Sequence, residues 1–394
     1  MVPCTVPAGQ EWGGGSSCED VDMRRPVMQK TWLSLVTGLL LTVPATGHGA
    51  EGLEWLVSKD LLDSLRLASV WQTAVPLRQG ERLEMLMILG DRLYVRSAQN
   101  YVWSLDRHRG EVLFGGSIAP AGFPVFGWNV YGDRLITVID NQLVELDANA
   151  GTPRRVTNLG LSIIAPPVRN SEFFYVSAAD RRLHVFRARN LIELFKASAD
   201  NDSVITSVIA DEDMVVFGTD AGNLVAMAPD GPRKLWQFDA VGAMAGPVIR
   251  DGRSFFFASK DTCVYRVDAI GTNSVSFAWK YQTEAILDRA PRVTAATVYQ
   301  YAPGRGVTAI SRNTGKALWS LPEGVDLLAE AGNKAYLITR DRTLVLMDNA
   351  SGRRLLWVNF ADVSDYAANV ADAKIYVADQ RGRILCLQPR QDGR

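Results

Sequence analysis

The chain has 394 residues, of which 47% are hydrophobic, 22% charged and 9% aromatic. That composition excludes a wholly disordered chain, and 42 basic against 43 acidic residues exclude the basic excess of a nucleic-acid-binding module. At about 150 residues per domain, the length suggests two or three domains or one large β architecture.

Residues 1–22 are rich in Gly and acidic side chains and do not suit the start of a secretory leader. They read as a gene-model extension, with Met23 or Met28 as the expected start. Residues 23–49 read as a signal peptide. Arg24, Arg25 and Lys30 precede an uncharged stretch, Thr31–Ala50, with an apolar heart at Trp32–Val43, a break at Pro44 and small residues after it. This is the charged, apolar and cleavage-region order of a secretory leader, with cleavage expected after Gly47 or Gly49. The apolar heart is short of the ~20 residues that span a bilayer; a retained anchor is the alternative. No Cys stands after it as in a lipoprotein signal. From Glu51 onward the basic count is 39 (42 − 3) and the acidic count 39 (43 − 4), a net charge of zero. Such a chain has no large field with which to steer a partner.

Residues 50–68 form a lead-in. Ser58 is a candidate N-cap for a short helix that puts Leu61, Leu62 and Leu65 on one face. That helix is expected to pack on the adjoining domain; a partner-docking helix is the alternative.

Residues 69–394 carry a repeat. Each unit has an apolar strand, a polar turn, an alternating strand, then Asp-x-x-x-Gly and an aromatic. Gly90–Val95, Tyr101–Asp106 and Gly110 form one copy; Gly132–Val138, Gln142–Asp147 and Gly151 another; Gly332–Leu337, Leu344–Asp348 and Gly352 a third. Period-two alternation marks strands, and the Gly and Asp positions mark turns. Hairpins centre near residues 98, 140, 180, 220, 260, 303, 340 and 380, a spacing of about 41 residues that marks a β-propeller. The expected fold is all-β: a single eight-bladed propeller of four-stranded antiparallel blades. The eighth hairpin lacks an aromatic strand after it, and the strand around Trp71 lacks a hairpin before it. The N-terminal strand is therefore expected to complete the last blade and remove its free edge. Gly122–Val125, Ala165–Val168, Gly246–Val248 and Ala290–Val293 are expected to start strands nearest the axis, where Pro loses no ladder donor.

Asn313–Trp319 and Asn349–Trp357 make the repeat resemble the PQQ-like propeller unit, over roughly residues 69–388. The resemblance implies that an aromatic docks between neighbouring blades. This role is assigned to Trp71, Phe114, Phe195, Trp236, Trp279, Trp319 and Trp357, with Val156 at the remaining boundary. Two branches of the superfamily are relevant: quinoprotein dehydrogenases, which hold pyrroloquinoline quinone and Ca²⁺, and non-catalytic propellers of the outer-membrane assembly (BamB) type. Length, repeat number and leader resemble the second; the missing lipidation Cys departs from it.

Residue chemistry points the same way. The dehydrogenases' vicinal Cys pair is absent, and Cys263 and Cys386, three blades apart, are expected to be unpaired buried side chains beyond disulfide reach. His48, His108 and His184 have no zinc spacing. Asp140-Asn141, Asp180 and Asp220 suit turns better than Ca²⁺. No nucleophile elbow or phosphate loop is present, and Arg305 reads as a solvated hairpin tip. Trp55, Trp103, Trp128, Phe173, Tyr299 and Tyr301 are expected to pack in the core unless they share one ring face.

These readings give a monomeric, periplasmic or secreted scaffold that binds envelope proteins and reaches the membrane only through a partner. No nucleic acid, no cofactor, no metal and no catalysis are expected. The alternative is a PQQ-dependent dehydrogenase, or a small-ligand or carbohydrate binder, using the axial funnel.

Overall fold

The computed structural model describes residues 54–360 and 362–390. The extension at 1–22, the leader at 23–49 with its cleavage sites, His48, and the tail after Arg390 lie outside the described residues.

The alternating segments form eight four-stranded sheets, all with antiparallel pairing. In chain order, seven sheets are each built from four consecutive strands. They begin with inner strands at Leu83–Leu89, Val125–Tyr131, Val168–Arg169, Ile205–Ala210, Ile249–Asp251, Arg292–Val293 and Gly324–Ala331. Pro124, Pro167 and Pro291 stand immediately before three of these strands, where no ladder donor is lost. The outer strands are Val112–Ser117, Pro153–Thr157, Glu193–Ala197, Lys234–Asp239, Ser274–Gln282, Ala317–Leu321 and Arg354–Asn359. We number these sheets as blades 1 to 7.

Blade 8 draws on both ends of the chain. Asp365–Ala367, Ile375–Ala378 and Arg383–Pro389 supply three strands, and Leu67–Ala74 pairs with the third, Leu67 opposite Pro389 and Ala74 opposite Arg383. The ring is closed as the sequence predicts. Beyond Leu67 the closure continues, with the Arg390 amide donating to the Arg66 carbonyl at 2.8 Å.

The one helix among the described residues is Lys59–Ser64, capped by the Ser58 hydroxyl. Leu56, Val57, Leu62 and Leu65 are buried with blade 7 and blade 8 residues Tyr336, Leu346, Ile375 and Leu387. The lead-in thus packs on the propeller. No described helix is long and apolar enough to cross a membrane.

The Asp-x-x-x-Gly turns join third and fourth strands by one mechanism. Asp147 Oδ1 accepts from the amides of Asn149 and Ala150, and Asp348 Oδ1 from those of Ala350 and Ser351. The closing Gly donates back to the Asp carbonyl, from Gly151 at 2.8 Å and from Gly352 at 2.9 Å. The Arg154 guanidinium, with the turn amides, holds the Asp147 carboxyl below the usual carboxylate range. The Ser351 amide leads in doing the same for Asp348.

A carboxyl whose pKa falls on folding stabilises the folded state above the ordinary value near 4 and loses that effect as pH drops through the lowered one. The melting temperature is therefore expected to hold from neutral pH to about 5 and to fall below about 4. Asp348→Asn should make the acid limb shallower in thermal scans between about pH 2 and 7; an unchanged limb would reject the role of this turn.

Candidate functional site

Two layers of side chains make each blade boundary. On the side facing the next blade, a second-strand residue, a third-strand residue and a fourth-strand residue lie in one row. In blade 6 the row is Tyr299, Ala309, Trp319; in blade 8 it is Tyr376, Cys386, Trp71; in blade 1 it is Tyr94, Ser104, Phe114. These rows pack on the opposite face of the adjacent blade.

The fourth-strand aromatic lies over the next blade's turn. A side-chain carbon at Gly110 would come within 2.5 Å of the Trp71 ring, and one at Gly315 within 2.7 Å of Trp279. Only glycine permits such an approach at these left-handed positions, φ 75° and 69°. The indole N–H then donates into the same turn: Trp71 to the Arg107 carbonyl at 3.1 Å, Trp279 to the Arg312 carbonyl at 2.8 Å and Trp319 to Asn349 Oδ1 at 3.1 Å. Trp71, Trp236, Trp279 and Trp319 are buried, while Phe114 and Phe195 are half-buried.

Trp357 does not dock. It is 64% exposed, because the docking position is the fourth residue after the turn Gly and Trp357 is the fifth after Gly352. One step along a strand puts a side chain on the opposite face. The residue in the row with Tyr336 and Leu346 is Leu356. It packs at the edge of the cluster that contains Leu62 and Leu65, so the lead-in supplies apolar bulk at this boundary.

The same count corrects the boundary after blade 2. Val156 is 50% exposed, and Arg155 occupies the docking position, opposite Glu145. Its guanidinium donates to the Ala188 carbonyl at 2.7 Å, the turn position that Trp71 and Trp279 address in their neighbours. Glu145 is fully buried among Arg134 at 2.8 Å, Arg155 at 3.1 Å and Arg169 at 3.5 Å. Arg169 also lies over the rings of Tyr131 and Phe174.

Trp236 shows what the turn supplies. The third strand of blade 5, Cys263–Ile270, runs on to pair Ile270 with Ser274, so no Asp-x-x-x-Gly turn closes that hairpin. The Trp236 indole N–H is buried without an acceptor. The tyrosines of the second strands also reach into the next blade's turn. Tyr376 donates to the Arg107 carbonyl at 3.0 Å and Tyr175 to the Pro229 carbonyl at 2.9 Å.

Groups with chemical potential elsewhere are engaged structurally. Cys263 and Cys386 are buried and unpaired, and burial pushes the Cys386 thiol up to about 12. His184 is buried between Glu193 at 2.6 Å and Asp180 at 3.0 Å. Asn141 accepts from the Ile163 amide, and Asp220 from the Val204 amide; Asp140 and Asn141 take positive φ in their turn. Arg305 pairs with Glu284 at 3.4 Å on the surface. Among the described residues no three His, Cys, Asp or Glu side chains group as metal ligands do. Trp103 and Tyr299 are buried in different boundary clusters, Trp128 and Phe173 pack at the margins of two others, Tyr301 lies under Arg289, and Trp55 is exposed on the lead-in.

Near the axis, Arg292 of blade 6 holds Asp326 of blade 7 through two bonds of 2.9 and 2.8 Å, with the Tyr366 hydroxyl of blade 8 at 3.5 Å. A cavity of about 860 Å³ lies instead between blades 7 and 8, lined among others by Arg66, Lys334, Tyr336, Lys374 and Arg390.

Fold and boundary rows together define an eight-bladed β-propeller of PQQ-like repeats. A family model described as outer membrane protein assembly factor BamB matches residues 119–244 and 230–345, more than half of the chain, and the chain belongs to that family. No curated protein sequence matches it. Among solved structures, the crystal structure of BamB from Moraxella catarrhalis superposes with a TM-score of 0.62 at 16% identity, covering 83% of this chain and 99% of that one. The computationally designed Ika8 protein gives 0.61 at 15% identity, covering 80% and 98%. Likeness at this identity is likeness of fold.

Trp279→Ala and Trp319→Ala are expected to cost about 3–5 kcal/mol each in denaturant unfolding, and Trp357→Ala less than about 1. Equal costs for all three would remove the distinction between docked and exposed rings. Glu145→Ala, which leaves three guanidinium groups without their buried carboxylate, should cost about 3–5 kcal/mol; a cost near zero would mean the cluster is not held together by that charge.

Proposed function

We propose that this chain is an exported, non-catalytic propeller of the cell envelope that holds protein partners on its connections and outer rim. The observation that carries the reading is apolar exposure on a rigid frame. Topology puts the connections from each outer strand to the next inner strand on one face of the ring. Phe123, Ile164, Val241 and Ile286 lie in four of these connections and are exposed, Val241 by 86%. Leu113, Leu194, Leu318 and Leu355 are exposed on four outer strands. Apolar side chains presented this way, on a chain without net field, favour recognition by shape and burial.

The family description places related chains in outer-membrane assembly, which supports an envelope location. Membrane association then runs through the partner. The reading takes the chain as monomeric and without a cofactor.

Cell fractionation with a C-terminal tag is expected to recover the protein in the envelope fraction with its leader removed. Val241→Asp combined with Ile286→Asp should leave the melting temperature unchanged and reduce crosslinking to envelope proteins. Retention in the cytoplasm would sink the reading. So would stoichiometric binding of pyrroloquinoline quinone with Ca²⁺, which favours the dehydrogenase alternative.

A further inference from the structure

Each blade leaves one edge of its outer strand without a ladder partner, and such edges are normally guarded. In blade 2 the strand carries Pro153, Arg154 and Arg155; in blade 3 Glu193 and Lys196; in blade 4 Lys234 and Asp239; in blade 7 Arg354. Blade 1 has Gly115 and Gly116 in its strand, and the uncharged strand of blade 6 is only five residues long. The edge of blade 8 is crossed by the lead-in, whose Leu56 amide donates to Gln72 Oε1 at 2.9 Å while Gln72 Nε2 donates to the Glu54 carbonyl at 3.1 Å.

Blade 5 is different. Its outer strand, Ser274–Gln282, has nine residues, and from Ser274 to Trp279 it contains no charge, no Pro and no Gly. Phe277 is 51% exposed and lies parallel to and offset from Phe238 of blade 4, with ring centroids 6.1 Å apart. Ile270 is exposed at the end of the same hairpin. Phe277 and Phe238 form an apolar ledge beside the open backbone edge, while Ile270 lies on the other face of the hairpin. The strand's one charge, Lys280, is exposed and has no ion-pair partner among the described residues.

We propose that Ser274–Gln282 is a strand-addition site for an extended segment of a partner protein. The segment's alternate side chains are apolar and rest on Phe277 and Phe238, and one carboxylate faces Lys280. Backbone hydrogen bonds would supply the affinity, and the ledge and the lysine the selectivity. A second copy of this chain fits the edge less well, because the same strand offers no carboxylate and would leave both lysines unmatched. The inference rests on the scaffold reading and assigns it one location.

The probe is a labelled seven-residue peptide of alternating valine and threonine with one glutamate, added to the full chain. Anisotropy should report binding, and hydrogen exchange should slow at amides within 274–282 and not on other outer strands. Phe277→Lys should weaken binding by at least about tenfold, whereas Trp357→Lys should not change it. Lys280→Glu, at a side chain no neighbour holds, should shift preference to a peptide with lysine in place of glutamate. Absence of slowed exchange, slowing spread over several outer strands, or a concentration-dependent dimer that Phe277→Lys abolishes would each overturn the assignment. If crosslinking to envelope partners survives Phe277→Lys and the peptide does not bind, the assignment fails while the scaffold reading stands.

Discussion

Every blade has two apolar faces and therefore needs two neighbours. That requirement governs the molecule: a four-stranded sheet with both faces apolar is not stable alone, and a ring is the arrangement in which every face is covered. At six of the eight boundaries the row meets the requirement with an aromatic ring, and at Trp71, Trp279 and Trp319 the ring lies over a glycine turn and aims its indole N–H into it. Burying one such aromatic contributes about 1.5–3 kcal/mol, so the six aromatic boundaries together outweigh any single contact. The boundary after blade 2 solves the same problem with other chemistry. Arg155 is planar and carries N–H donors, so it reaches the turn carbonyl as an indole does, and its charge is balanced by the buried Glu145.

The longer hairpin of blade 5 links two features that look unrelated. By running past the height at which other blades turn, it takes away the acceptor that Trp236 would use. The same extra length lays out an outer strand of nine residues. An unmade hydrogen bond inside and an unguarded edge outside have one cause. A buried N–H without a partner costs about 1–3 kcal/mol, so this hairpin is a local departure from the solution that the neighbouring boundaries use.

Blade number, strand order and the seam between Leu67–Ala74 and Arg383–Pro389 were legible because the repeat recurs and strand alternation is periodic. The docking positions were legible where a Trp stands in the row, as at Trp319, four residues after Gly315, and at Trp71 and Trp279. They were misread where an aromatic stood one place too far, at Trp357, and where no aromatic stood in the row, at Arg155. In both cases the eye tracks residue type while the strand obeys register. The second-strand tyrosines lie in apolar strand segments, but their hydroxyl partners belong to the next blade, which the local pattern does not show. The ion cluster at Glu145 draws on strands of two blades and left no signature along the chain. The exposed ledge at Phe277 was hidden for a further reason: exposure depends on what lies beside a strand, and Phe238 is remote in sequence.

The seam also sets the order in which this molecule can be finished. Seven blades are made from consecutive strands and can assemble as the chain lengthens. The eighth waits until residues at opposite ends of the described chain meet, and contacts between distant residues are slow to form. Until then the last blade shows an open edge and blade 1 an uncovered face. The ring is thus a clasp that shuts only on a chain carrying both ends, and loss of either end leaves it open.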